Sequence, residues 1–139
     1  MSIPRPAFNG IDHVHVYVTD RADAADWYGR VLGFTVVDSL AFWADDPGGP
    51  LTLEDSSGKV HLALFQRDPL SPASTIAFGA SGEEFLQWKS HLEARQLLQR
   101  CSDHTVSWSL YFGDPDGNMH EITTYDHALV AQALSGTGD

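Results

Sequence analysis

The sequence is short of cations, of sulfur and of long apolar runs, and each shortage excludes something. Only 8 Lys and Arg stand against 19 Asp and Glu in 139 residues, a formal net charge of −11. A surface of that sign repels phosphate backbones and anionic lipid, so neither nucleic acid nor a membrane surface is an expected partner. The one cysteine, Cys101, cannot close an internal disulfide, which fits a reducing compartment. No run approaches the 18 or so apolar residues of a membrane span, and the opening Met1-Ser2-Ile3-Pro4-Arg5-Pro6 lacks the apolar core of a secretory leader. What is plentiful is core material: 42% apolar residues, including 4 Trp and 7 Phe, argue against disorder. The expectation is a cytoplasmic globule of one domain, or of two small halves sharing one core.

Strict alternation in Ile11-Asp12-His13-Val14-His15-Val16-Tyr17-Val18 predicts a strand. Its valines line one face, and His13, His15 and Tyr17 line the other. Asp20 is placed to cap a helix that runs to about Leu32, with Gly33 closing it in the left-handed region. Three strands are predicted next, over Phe34–Phe42, Leu51–Glu54 and Val60–Phe65, separated by Asp46-Pro47-Gly48-Gly49-Pro50 and Ser56-Ser57-Gly58. The pattern then recurs. Thr75–Phe78 reads as a strand and Gly82–Leu98 as a helix with Phe85, Trp88 and Leu92 on one face. Strands over Ser107–Phe112 and Asn118–Thr124 flank the turn Asp114-Pro115-Asp116-Gly117, and a short helix from about 126 to 134 ends the chain. A further strand ahead of Ser107 is weakly signalled and is placed by analogy with the first half.

The chain therefore reads as α+β, with two βαβββ modules over about 9–67 and 72–126. The expected architecture is a curved mixed sheet around a concave cavity, with both helices on its convex side. Superposing the halves pairs His13 with Thr75 and His61 with Glu121. On this reading His13, His15, His61, Tyr111 and Glu121 face the concave side. A strand histidine taken alone is usually a solvated side chain, but imidazoles gathered around a carboxylate require a compensating positive charge. A divalent metal supplies one, and two His with one carboxylate leave positions open for substrate. His15, about 7 Å along the strand from His13, reads as pocket wall and not as co-ligand.

With these residues in view, the chain resembles the vicinal oxygen chelate superfamily of glyoxalases, type I extradiol dioxygenases, fosfomycin-resistance enzymes and bleomycin-binding proteins. The resemblance spans nearly the whole length. It rests on Asp12-His13-Val14 through Asp20 to Trp27-Tyr28-Gly29-Arg30-Val31-Leu32-Gly33-Phe34, and on Tyr111-Phe112-Gly113-Asp114-Pro115-Asp116-Gly117-Asn118-Met119-His120-Glu121. His13 and Glu121 fall at the family's first-strand and last-strand ligand positions. His104, Leu110-Tyr111, Asp114-Pro115, Gly117 and Glu121 also follow the order of the extradiol signature, with Ser102 departing from it. That likeness implies that His104 and Tyr111 hydrogen-bond substrate or oxygen beside a metal. Thr75 stands where dioxygenases and fosfomycin-resistance enzymes carry a His, and threonine is a weak neutral ligand.

The expectation is a metal-dependent enzyme acting on a small substrate with vicinal oxygens. Its divalent ion, Fe(II) or Mn(II) ahead of Zn(II), would be held by His13, His61 and Glu121. His104 or His15 would move the proton, and Tyr111 would hydrogen-bond an oxygen. The alternative is a non-catalytic drug or small-molecule binder of the bleomycin-resistance type, with Trp43, Trp108 and Phe65 as apolar walls. Open sheet edges, and the habit of the relatives, make a homodimer the expected assembly.

Overall fold

A computed structural model describes residue 5, residues 11–68 and residues 75–136. The expectations about the first residues of the chain and the start of the first module lie outside the described residues. The chain divides into two compact units, residues 1–71 and 72–139.

The first unit contains β1 (Val14–Val18), α1 (Arg21–Leu32), β2 (Thr35–Val36), β3 (Leu51–Glu54) and β4 (His61–Gln66). The strands lie in the order β1-β4-β3-β2, with β1 parallel to β4 and the other pairs antiparallel. Alternation does what the sequence promises. Val16, Val18, Leu53, Leu62 and Leu64 are buried, as are Ala24, Trp27, Tyr28 and Val31 of α1. The Asp20 carboxylate accepts the Asp23 N–H at 2.9 Å, and Gly33, with φ of 80°, ends the helix by donating to Gly29 O at 3.1 Å. Both are the expected caps.

The predicted strand over 34–42 is a correction. Ladder pairing stops after Val36, and Asp38–Asp45 winds into a 3₁₀ helix with no buried residue. Apolar letters at Leu40, Phe42 and Trp43 imitate a strand. However, residues three apart stack on one side of a 3₁₀ turn, and Leu40 and Trp43 both line the pocket described below. The Arg21 guanidinium fixes this segment by donating to the carbonyls of Ala44, Asp46 and Gly49.

The second unit repeats the plan: β5 (Ile76–Gly79), α2 (Gly82–Ala94), β6 (Arg100–Asp103), β7 (Trp108–Gly113), β8 (Met119–Thr124) and α3 (His127–Gly136). The strand order is β5-β8-β7-β6, with β5 parallel to β8. Phe85, Leu92, Leu110, Phe112, His120 and Ile122 are buried. Ser81 caps α2 through Glu84 N at 3.2 Å. The helix ends at Ala94 and not near Leu98: Gln96 takes a φ of 58°, and Leu97 N turns back onto Leu92 O at 2.9 Å. The weakly signalled strand exists as β6. In the turn before β8, the buried Asp114 carboxylate accepts from the N–H groups of Asp116 and Asn118 and from the Asn118 side-chain amide, all within 2.9 Å. α3 packs on α2, with Gly82 N donating to the Asp126 carboxylate at 2.6 Å.

The molecule is thus α+β with two four-stranded mixed sheets, neither closed into a barrel. Among the described residues no helix is long and apolar enough to cross a membrane.

Candidate metal and substrate site

In the first unit the face of the sheet turned away from the buried valines carries His15, Tyr17, Thr52, Glu54, His61, Ala63 and Phe65, with His13 just ahead of β1. Asp12, His13, Thr52, His61, Ala63 and Phe65 line an open pocket of about 170 Å³, closed on another side by Leu40, Trp43 and Pro50. His13 and His61 therefore line one pocket. Trp43 and Phe65 are among its walls. Trp108 is not among the lining residues; its ring stacks on His127, with centroids 5.6 Å apart.

Each pocket histidine leans on a carboxylate. His13 Nδ1 is 2.8 Å from Asp12 Oδ2, and His61 Nε2 is 3.3 Å from Glu54 Oε2. Glu54 and His61 are direct cross-strand partners, so the ladder itself sets that pair. With Nδ1–H held by Asp12, His13 directs the lone pair of Nε2 at His15 Nε2, a hydrogen bond that a metal on that nitrogen would replace; with Nε2 facing Glu54, His61 presents Nδ1. A carboxylate behind an imidazole fixes its tautomer and raises its basicity, which is how metal-binding histidines are commonly supported. His15 is exposed and is not part of the pocket wall; its Nε2 lies 3.1 Å from His13 Nε2, and its ring packs on Phe65 at 4.6 Å.

In the second unit Glu121 is half-buried and pairs in register with Tyr111. Its Oε2 accepts from the Ser109 hydroxyl at 2.8 Å and the Thr123 hydroxyl at 2.7 Å, so Oε1 stays available. His104 and Tyr111 come together, with Nε2 3.0 Å from the phenol oxygen. A tight turn carries His104, with Thr105 at a φ of 75° and its N–H on Asp103 Oδ1 at 2.8 Å. The bond to His127 first, and that N–H second, hold the Asp103 carboxyl below its ordinary range. Burial pushes the Cys101 thiol up, which lowers its thiolate fraction. His120, next to Glu121, points the other way: it is fully buried between the Phe78 and Phe112 rings, and burial drives its pKa down to about 4.

The chemistry of the donors, imidazole nitrogen and carboxylate oxygen, fits a divalent transition metal. Within either unit, among the described residues, no three His, Cys, Asp or Glu side chains gather into a metal-binding group. The expected repeat equivalences also need correction. The ladders set Val14 beside Leu62 and Ile76 beside His120. If His13 matches Thr75, then Ala63, and not His61, matches Glu121. His61 sits two residues, about 7 Å, further along its strand.

Sequence reasoning missed Asp12, Glu54, Arg21 and the serine and threonine that hold Glu121. Asp12 adjoins His13 and could have been noticed; Glu54 needs the β3–β4 register, which no local signal gives. Residues 10–122 match the model of the glyoxalase/bleomycin resistance protein/dioxygenase superfamily. No protein among those with curated functions matches the sequence. Similar solved structures include a glyoxalase family protein from Bacillus anthracis, at 20% identity and a TM-score of 0.69, covering 88% of this chain and 100% of that one. A lactoylglutathione lyase from Agrobacterium tumefaciens is 24% identical with a TM-score of 0.68, covering 86% and 96%. A mutant of the fosfomycin resistance protein FosX from Listeria monocytogenes, complexed with Mn(II) and 1S,2S-dihydroxypropylphosphonic acid, is 14% identical with a TM-score of 0.69, covering 91% and 99%. At these identities the structures speak for the fold; the match over residues 10–122 places the chain in the glyoxalase/bleomycin resistance protein/dioxygenase superfamily.

Proposed function

We propose that the protein is a metal-dependent enzyme that acts on a small molecule with vicinal oxygens, with His13, His61 and Glu121 as its metal ligands. The observation that carries this reading is the pair of carboxylate-backed imidazoles, Asp12–His13 and Glu54–His61, at one apolar-walled pocket. Two carboxylates beside two ring nitrogens make the pocket attractive to a cation. Fe(II) or Mn(II) would serve ahead of Zn(II), because both leave coordination positions for two substrate oxygens. Bound there, the metal would act as a Lewis acid on substrate oxygens.

The chain's own residues do the rest. Leu40, Trp43, Pro50 and Phe65 wall the pocket against water and give a planar substrate apolar contact. The Tyr111 hydroxyl donates to a substrate oxygen as it gains negative charge. His104, exposed and bonded to that hydroxyl, exchanges the proton with solvent. His15, exposed beside His13 and released from its Nε2 once a metal takes that nitrogen, is the other candidate for proton transfer. Each unit leaves two edge strands, β1 and β2 in the first and β5 and β6 in the second, which a second copy can cover. The proposed form is therefore a cytoplasmic homodimer, for which light scattering should give twice the chain mass.

The test is anaerobic titration of metal-free protein with Mn(II), Fe(II) and Zn(II). One ion per chain is expected, with binding weakened at least tenfold in His13→Ala, His61→Ala and Glu121→Gln. Absence of stoichiometric binding, or binding indifferent to all three variants, overturns the reading. One observation favours a second reading: Thr75, where the resemblance implies a His, leaves the chain one imidazole short. That reading is a metal-free binder using the same apolar walls, and it predicts ligand binding that a chelator leaves unchanged.

A further inference from the structure

Resting on the metal reading above, we propose that Arg100 selects substrates that carry a carboxylate or similar anionic group about one aromatic ring away from the metal-binding oxygens. The ladder supplies the geometry. Arg100 pairs with Tyr111, and Tyr111 pairs with Glu121, so the three form one transverse row on the same face of the second unit's sheet. Two strand spacings separate the ends of the row, about 10 Å between the outer Cα atoms. Glu121, the proposed ligand, stands at one end with Oε1 available; the phenol stands in the middle; Arg100 rises from the other end and reaches back with its guanidinium over the phenol ring.

The state of that cation is informative. Arg100 is exposed, and its guanidinium lies over the Tyr111 ring with Cζ 4.5 Å from the centroid. Among the described residues it takes part in no ion pair, whereas Arg30 is held by Asp26, Lys89 by Glu93, and Arg21 by three carbonyls. Stacking uses the face of a guanidinium and leaves its N–H edge free, which is the edge that grips a carboxylate with two parallel hydrogen bonds. The nearest acid on its own strand, Asp103, is occupied by His127 at 2.6 Å. Arg100, Tyr111 and His104 thus present N–H and O–H donors along one stretch of surface.

Net charge sharpens the point. A chain at −11 repels an anionic substrate at long range, and salt screens that field beyond about 8 Å. Direct contact with an unpaired guanidinium is not screened in this way. An anion that binds this protein therefore needs a local cation, and Arg100 is placed to be one.

Two probes, each measured with and without chelator, separate the claims: catechol and 3,4-dihydroxybenzoate. Affinities are read by calorimetry on Mn(II)-loaded wild type, Arg100→Gln and Arg67→Gln. Arg67 is the comparator, because its guanidinium also lies on aromatic rings, Phe65 at 5.1 Å and Tyr17 at 5.4 Å, but in the first unit. The carboxylated probe should bind wild type at least tenfold more tightly than catechol. That ratio should fall to about one in Arg100→Gln and persist in Arg67→Gln. Equal affinities in wild type, a ratio unchanged in Arg100→Gln, or a ratio lost in Arg67→Gln instead, overturns the assignment and leaves the metal reading intact. Affinities that ignore the chelator overturn the metal reading, and the ratio in its presence still decides Arg100. Failure of both probes to bind overturns both.

Discussion

Acid should destabilise this protein through one buried imidazole well before its carboxylates titrate. His120 is fully buried on the face of β8 that packs into the second unit's core, between the rings of Phe78 and Phe112. Burial moves its pKa from 6.5 to about 4, partly opposed by the charge of Asp114. The unfolded chain therefore takes up the proton near pH 6.5, while the folded one resists until about pH 4. Between those values the unfolded state binds more protons, so stability falls as pH falls. A 2.5-unit depression corresponds to about 3 kcal/mol in full, of which about 2 kcal/mol is lost between pH 7 and pH 5. Replacing His120 with Leu, an apolar side chain of similar bulk, removes that proton. Urea unfolding of wild type and His120→Leu, with chelator present, should show the difference between them shifting by about 2 kcal/mol over that interval. The shift should favour the variant at the lower pH. A difference that stays flat would refute the reasoning, because it would mean that the imidazole titrates alike folded and unfolded.

Other perturbations have similarly direct consequences. Asp114→Ala orphans two backbone N–H groups in the turn before β8 and should cost about 3 kcal/mol by urea unfolding, with Asp114→Asn costing less because one acceptor oxygen remains. Arg21→Ala removes the donors that hold three carbonyls of residues 44–49. It should raise amide exchange across 38–50, with Arg21→Lys restoring little, since a point charge cannot span the three acceptors. Gly49→Ala would drive a Cβ into the Trp43 carbonyl oxygen, so the loop must move; a changed Trp emission and a stability loss of about 1–3 kcal/mol are expected.

Much of the fold was legible because a two-layer unit writes its core into every second residue of a strand. Val16 and Val18, Leu62 and Leu64, and Leu110 and Phe112 carried that signal, and Asp20 with Gly33 marked both ends of α1. The misreadings have equally local causes. β6 reads Arg-Cys-Ser-Asp, an edge strand with little apolar content, so analogy with the first half placed it but its register could not be derived. Arg100 stayed invisible for that reason, since a side chain cannot be assigned to a face before its strand is known. In the first unit the apolar letters of residues 34–42 serve a pocket wall from a 3₁₀ turn and not a sheet, a distinction that periodicity over so short a run does not make.

The candidate site was legible by face and not by row. Parity fixed which side His13, His61, Tyr111 and Glu121 occupy, since a slip of one residue would have driven a charged group into the core. A slip of two residues costs nothing in burial, because it exchanges one residue of the second face for another. That is where the repeat argument failed: the ladders cannot equate both His13 with Thr75 and His61 with Glu121. The valines and leucines of the two units are held in step by the helices they pack against, whereas the second faces are free to diverge row by row. The first unit places its imidazoles at the row of Glu54 and His61, and the second places its acid at the row of Arg100 and Tyr111. An internal duplication in such a chain is therefore a guide to architecture, and ligand identity has to be argued from cross-strand neighbours, as it is for His61 from Glu54 and for Glu121 from Ser109 and Thr123.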